Sequence, residues 1–169
     1  MAENNHGKWD TRIYRDVLGH YPTGVCAISA LVAGVPLAMV VGTFTSVSLD
    51  PPLIGFLPAR NSETWQQLRL AETFCVNVLA SDQAALCKRM ATRGPDRFVG
   101  VNWVEDHESG LRIDGAVAWI ACNLTSVSEA GDHDFVLGHV RAMALVRDTA
   151  PLIFHRGGFT EPTSSAIQR

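Results

Sequence analysis

In the stretch Val41-Gly42-Thr43-Phe44-Thr45-Ser46-Val47-Ser48-Leu49-Asp50-Pro51-Pro52, an apolar run gives way to hydroxyl side chains and ends at a double proline. Residues 35–41 before it and Leu53-Ile54-Gly55-Phe56-Leu57 after it are apolar, and the pattern assigns both to buried strands. A connector carrying Thr43, Thr45, Ser46 and Ser48 between such strands is unusual, because hydroxyls that become buried need partners. Those partners are either backbone groups of the turn itself, which Ser and Thr satisfy locally, or the polar atoms of a ligand.

Upstream, residues 25–32 are apolar on both phases, as expected of a strand covered on both faces. Ala33-Gly34 reads as a turn, with 36–41 as the returning hairpin partner. Asp10 is a plausible N-cap for a short helix to Gly19, with Ile13, Val17 and Leu18 on one side. Downstream, Asn61 or Ser62 caps a helix to about Ala71. Residues 73–79 read as a strand, and Ser81 or Asp82 caps a second helix to Ala91. Residues 92–110 look irregular. A long strand over 116–127 is expected to put Ala118, Ile120, Cys122 and Leu124 on one face, with Asn123 and Thr125 on the other. Gly131-Asp132-His133-Asp134 is a turn, 135–146 returns, and 152–154 is a last short strand. About seven strands at hairpin spacing, with at most three helices and no β-α-β alternation, predict a mainly β, antiparallel barrel or sandwich with peripheral helices.

Composition narrows the function. The chain has 169 residues and is 47% apolar and 18% charged, which predicts one compact globular domain. A net charge of -3 offers no field for nucleic acid or an acidic membrane surface. Cys26, Cys75, Cys87 and Cys122 form no C-x-x-C pair and read as reduced core residues. Residues 1–10 are polar and lack the apolar core of a signal peptide. No apolar run approaches ~20 residues, so no membrane span and a soluble cytoplasmic protein are expected. Glycine fingerprints for dinucleotides, Walker A, H-E-x-x-H and G-x-S-x-G motifs are all missing from the sequence. His133 and His139, with Asp132 or Asp134, fall short of a zinc set, so no metal is expected.

Three places hold donors suited to an anion. Arg60, Ser62 and Thr64 lie at a strand-to-helix junction, a phosphate seat or an ordinary capped helix. Lys88-Arg89, near the end of the next helix, is a second cationic group or a solvated face, and Arg156 precedes Gly157-Gly158, which either permit close backbone approach or form a plain turn. His133, flanked by Asp132 and Asp134, is either a surface turn residue or a donor to an anion or carboxamide.

Seven segments occur in order: Tyr21-Pro22-Thr23-Gly24-Val25, Phe44-Thr45-Ser46-Val47-Ser48-Leu49-Asp50-Pro51-Pro52-Leu53, Ser62-Glu63-Thr64-Trp65, Phe74-Cys75-Val76-Asn77-Val78-Leu79, Pro95-Asp96-Arg97-Phe98, Gly131-Asp132-His133 and Arg156-Gly157-Gly158. Together they resemble the flavin reductase-like, FMN-binding split-barrel family, above all the reductase components of two-component flavin-dependent monooxygenases. The resemblance implies a split-barrel domain over 10–160 with flexible termini at 1–9 and 161–169, assembled as a homodimer. It implies FMN or FAD held by Thr43, Phe44, Thr45, Ser46, Val47 and Ser48, with the phosphate at Ala59, Arg60, Asn61, Ser62 and Thr64. Asn77, Lys88 and Phe98 would stand near the flavin, and His133, Arg156 and Gly157 on the side where NADH or NADPH enters, His133 as the candidate for positioning nicotinamide. Val40 and Gly42 depart from the family pattern, which often has hydroxyl or amide side chains there. The implied activity is hydride transfer from NAD(P)H to flavin, with the reduced flavin supplied to a monooxygenase. The alternatives are a flavin carrier or sensor without turnover, an oxidase of the related pyridoxamine-phosphate type, and a β-barrel interaction module.

Overall fold

The computed structural model describes residues 10–92, 94–106, 108, 110–160 and 162. The termini expected to be flexible, 1–9 and 161–169, lie outside the described residues except for Pro162. Asp10 starts α1 (Thr11–Gly19), its carboxylate accepting from the Arg12 N–H at 2.8 Å. β1 (Thr23–Gly24) and β2 (Cys26–Val32) follow. Ala33 and Gly34 both take positive φ, 51° and 76°, the turn that matches strand twist and sends the chain back as β3 (Val35–Val41). Then come β4 (Thr45–Leu49), β5 (Pro52–Phe56), α2 (Glu63–Leu68), β6 (Thr73–Val78) and α3 (Ala84–Met90). β7 (Trp103–Asp106) and β8 (Gly110–Ile113) precede the two longest strands, β9 (Ala118–Ala130) and β10 (His133–Leu145), and β11 (Ile153–His155) and β12 (Gly158–Thr160) close the order.

The expected antiparallel, mainly β architecture is what forms. Seven strands build one sheet in the order β3-β2-β6-β9-β10-β5-β4, beside a small β1-β11-β12 sheet and the β7-β8 hairpin. β2 is covered on both faces, as its sequence required. Cys26, Ile28 and Ala30 enter one core with Phe56, Trp65 and Phe74, while Val25 and Ala27 enter a second with Leu79, Met90 and Leu152. Three backbone bonds join the small sheet to the large one: Val25 N–H to Leu152 C=O, Leu152 N–H to Leu79 C=O, and Leu79 N–H to Val25 C=O. On β9 the expected faces hold: Cys122 packs with Ile120 and Leu124, while Trp119 and Ala121 pack on the other side with Cys75. Among the described residues no helix is long and apolar enough to cross a membrane.

Three local expectations are corrected. The hydroxyl-rich connector becomes a strand at Thr45, pairing with β5 through Thr45↔Gly55 and Ser46↔Ile54 with a bulge before Ser48. An edge strand needs only one apolar face, so its polar residues hid it. Residues 92–110 contain the charged, four-residue strand β7 and the start of β8, too short for a periodic signal. Ser81 and Asp82 do not cap α3. A 3-10 turn over Ser81–Gln83 precedes it, Asp82 pairs with Arg147 at 2.9 Å, and Gln83 takes the Ala80 N–H at 3.0 Å.

Asn77, expected near the flavin, is wholly interior. Its amide donates to Ala27 C=O at 3.1 Å and Ser29 Oγ at 2.8 Å, and its oxygen accepts from Ile113 N–H at 2.7 Å. One side chain thus ties β6 to β2 and β8. Asn77→Ala is expected to destabilise the protein by about 1–3 kcal/mol, since it leaves the buried Ile113 N–H without an acceptor and Ala27 C=O and Ser29 Oγ without this donor. Urea unfolding checks this, and a change within experimental error would refute the role.

All four cysteines are free and buried. Burial pushes the Cys26 and Cys122 thiols up to about 12. At mildly alkaline pH these two therefore stay protonated and are expected to resist a thiol reagent in the native protein, reacting once denaturant is added. Rapid labelling of both without denaturant would contradict this.

Candidate functional site

The strand-to-helix junction after β5 is docked on the tip of the β9–β10 hairpin. Arg60 N–H donates to Asp132 C=O and Asp134 N–H to Pro58 C=O, both at 3.0 Å, and Ala59 forms a bridge pair with His133. The structure thereby brings the residues 59–64 and His133 together, although about 70 positions separate them in the chain. Asp134 fixes this contact. Its buried carboxylate accepts from the Trp65 indole N–H at 2.7 Å, with Arg60 Nε at 3.6 Å and Arg69 Nη1 at 3.8 Å. The Arg69 guanidinium lies over the Trp65 ring, 5.9 Å from its centroid.

His133 opens β10 just after a turn in which Gly131 takes φ +67°. Its Nδ1–H donates to Asp132 at 2.7 Å, leaving Nε2 free to meet a ligand. The hydrogen bond from His133 and the charge of the ring hold the Asp132 carboxyl below its usual range. The contact is therefore complete above the ordinary carboxylate range and is lost as pH falls through the lowered value.

Of the donors expected to seat a phosphate, Arg60 Nη2 is engaged, with Glu129 at 2.8 Å. The Ser62 hydroxyl caps α2 by accepting from Trp65 N–H at 3.3 Å, and Thr64 Oγ1 accepts from Arg97 Nη1, so in these bonds both keep their own O–H to donate. α2 has only six residues, so its dipole is small. Thr43 is occupied in both senses, accepting from Leu57 N–H at 2.9 Å and donating to Leu57 C=O at 3.2 Å. Thr45 donates to the Ser46 carbonyl at 3.1 Å, and Ser46 and Val47 are exposed, with Phe44 and Ser48 half-buried. A Cβ at Gly42 would stand 2.8 Å from Thr23 Oγ1, a steric reason for glycine there.

Two adjoining clefts flank α2. One, of about 300 Å³, has Met39, Val40, Asn61, Ser62 and Met90 in its walls, and the other, of about 390 Å³, has Leu37, Gln67 and Phe98. Glu63, Thr64 and Arg97 line both. Arg97 spans the boundary, donating through Nη1 to Ala38 C=O at 3.2 Å and to Thr64. Its Nε is shielded and makes no hydrogen bond. Sequence reasoning passed over Arg97 although Pro95-Asp96-Arg97-Phe98 was noticed, because nothing in the sequence separates this arginine from a solvated one. Asp134 was likewise seen only as a neighbour of His133. A larger cleft, about 570 Å³, lies between β2, β6 and the β7–β8 hairpin and includes none of the expected site residues.

Lys88 Nζ lies over Phe159, 6.0 Å from the ring centroid, and Arg156 N–H donates to Gly19 C=O at 2.8 Å with φ +50°. Among the described residues no hydrogen bond or ion pair links Lys88, Arg156 or Gly157 to His133. Phe98 packs edge-on against Trp103, with ring centroids 6.3 Å apart.

The architecture is that of an antiparallel β protein with ligand-sized clefts beside a short helix and a histidine-bearing hairpin. The flavin reductase like domain family matches residues 18–163, and the chain belongs to it. A flavin reductase of Pseudomonas putida is 47% identical over 151 residues, 89% of each chain. The reductase subunit HsaB of a flavin-dependent monooxygenase from Rhodococcus jostii (strain RHA1) is 39% identical over 151 residues, 89% of this chain and 77% of that one. The solved structure of the Streptomyces globisporus NADH:FAD oxidoreductase SgcE6 in complex with NAD and FAD fragments superposes with a TM-score of 0.87. It is 33% identical and covers 93% of this chain and 95% of that one.

His133→Ala is expected to return the Asp132 carboxyl to the ordinary range, followed by carboxyl-carbon NMR across an acid titration. An Asp132 titration that does not move would disprove the attribution to His133.

Proposed function

We propose that the protein is an NAD(P)H-dependent flavin reductase whose product, reduced flavin, serves a partner flavin-dependent monooxygenase. The observation that carries this reading is the junction of residues 59–64 with His133 beside two ligand-sized clefts, in a chain of the flavin reductase like domain family. The complex of the Streptomyces relative with NAD and FAD fragments supports a nicotinamide nucleotide as donor and a flavin nucleotide as acceptor.

The residues fit such a cofactor. The clefts offer apolar wall at Met39, Val40 and Met90, and a cation with an unpartnered buried N–H at Arg97. The chain leaves this wall at Val40 and reaches the hydroxyl-bearing segment 43–48 within three residues. When bound, the nicotinamide gives up a hydride and the flavin accepts it, so the chemistry belongs to the cofactors. The chain's part is to hold the two rings in reach of each other, a proximity effect. His133, oriented by Asp132, is assigned to the nicotinamide carboxamide, with Arg156 and Gly157 on the same side. Thr43 to Ser48 are assigned to the flavin, with Ala59, Asn61, Ser62 and Thr64 bordering its phosphate end and Lys88 and Phe98 nearby. Arg60 belongs to the frame that holds this edge.

The same reading takes residues 10–160 as one split-barrel domain acting in the cytoplasm as a homodimer. Apolar side chains left exposed at Leu49, Met143 and Leu145 support a covering partner.

Purified protein is expected to accelerate NADH or NADPH oxidation when FMN or FAD is added, read from the loss of reduced-nicotinamide absorbance. Flavin binding without oxidation would point to a carrier instead. His133→Ala is expected to raise KM for the nicotinamide about tenfold while flavin affinity stays within about twofold. Equal loss of both would reject the role given to His133.

A further inference from the structure

We propose that Arg97, and not Arg60, is the residue that recognises the phosphate of the flavin nucleotide; the inference rests on the flavin-binding reading above. Two arginines compete for this role, and their electrostatic surroundings differ. Arg60 faces two carboxylates, Glu129 at 2.8 Å and Asp134 at 3.6 Å. Its charge is already compensated, and a phosphate brought beside it would meet both acids. Arg97 touches only neutral acceptors, Ala38 C=O and the Thr64 hydroxyl, and among the described residues it forms no ion pair. Glu63 shares its clefts but is exposed and is not paired with it.

Geometry favours the same residue. Arg97 lines both clefts beside α2, so a ligand in either one meets it. Its Nη1 is anchored between β3 and the first turn of α2, which fixes the plane of the guanidinium before a ligand arrives. The shielded Nε carries a hydrogen-bond donor with no acceptor. Arg97 as a residue is half-buried and lines the clefts, and a planar guanidinium suits two phosphate oxygens at once. Lys88 and Arg69 are less suited, since each lies over an aromatic ring and Arg69 also faces Asp134.

FMN and riboflavin carry the same ring system and differ by the phosphate, so their relative affinities isolate this contact. Fluorescence titration of the full-length protein is expected to show FMN bound about tenfold or more tightly than riboflavin. Arg97→Gln is expected to bring FMN down to the riboflavin level with riboflavin affinity unchanged, which also reports an intact fold. Arg97→Lys, which keeps the charge and loses the fork, is expected to retain part of the preference. Arg60→Gln is expected to leave the FMN-to-riboflavin ratio as it is.

Loss of the preference in Arg60→Gln but not in Arg97→Gln would overturn the assignment. So would a higher KM for NADH in Arg97→Gln with an unchanged ratio, which would give the cation to the dinucleotide. Equal binding of FMN and riboflavin by the unaltered protein would sink this inference and leave the reductase reading standing. Failure to bind either flavin would sink both.

Discussion

A carboxylate inside a protein must be met by donors, and Asp134 is where this fold meets that demand. The Trp65 indole bonds it directly, and Arg60 and Arg69 stand beside it. These three residues come from the junction and the helix that follow β5, whereas Asp134 is on β10. Leaving a buried charge without partners costs far more than a paired one returns, so the contact acts as a constraint on where α2 can sit. With α2 held, Ala59 bridges His133 and the clefts beside the helix have fixed walls.

The same constraint gives polar residues around the junction a part in the frame. Ser62 caps the helix, Thr43 clasps Leu57 and Arg60 answers two acids. Much of the polar chemistry at this edge also builds the frame. Beside it stand a histidine with one ring nitrogen engaged, an arginine with an unpartnered N–H, and an apolar wall. A site with few charged clamps suits a flavin that is taken up, reduced and released to another enzyme, since tight binding would slow its departure.

The sheet was readable where one pattern served one purpose. β2 shows apolar residues on both phases because both of its faces are buried, and β9 alternates because its faces enter different cores. β4 and the β7–β8 hairpin were not readable, since edge and surface strands owe their shape to partners and not to an apolar period. The start of α3 was misplaced because Asp82 has two options, capping or pairing with Arg147, and only the distance between them chooses. Asn77 came into view only through the family resemblance, and only the fold shows its amide serving Ala27, Ser29 and Ile113.

By itself, the order of residues determined an antiparallel β protein, the order of its helices, the nearness of hydroxyls to a strand end, and membership of a family of flavin reductases. Those features depend on local period, turn chemistry and motifs, all of which are written along the chain. Which arginine stands uncompensated, which hydroxyl is spent on the backbone and which asparagine is interior were decided only by tertiary structure. Each of these is settled by neighbours from other strands or turns: Glu129 and Asp134 for Arg60, Leu57 for Thr43, and Ala27 and Ile113 for Asn77. A side chain's chemistry is set by its type, and its availability by the groups that fold against it.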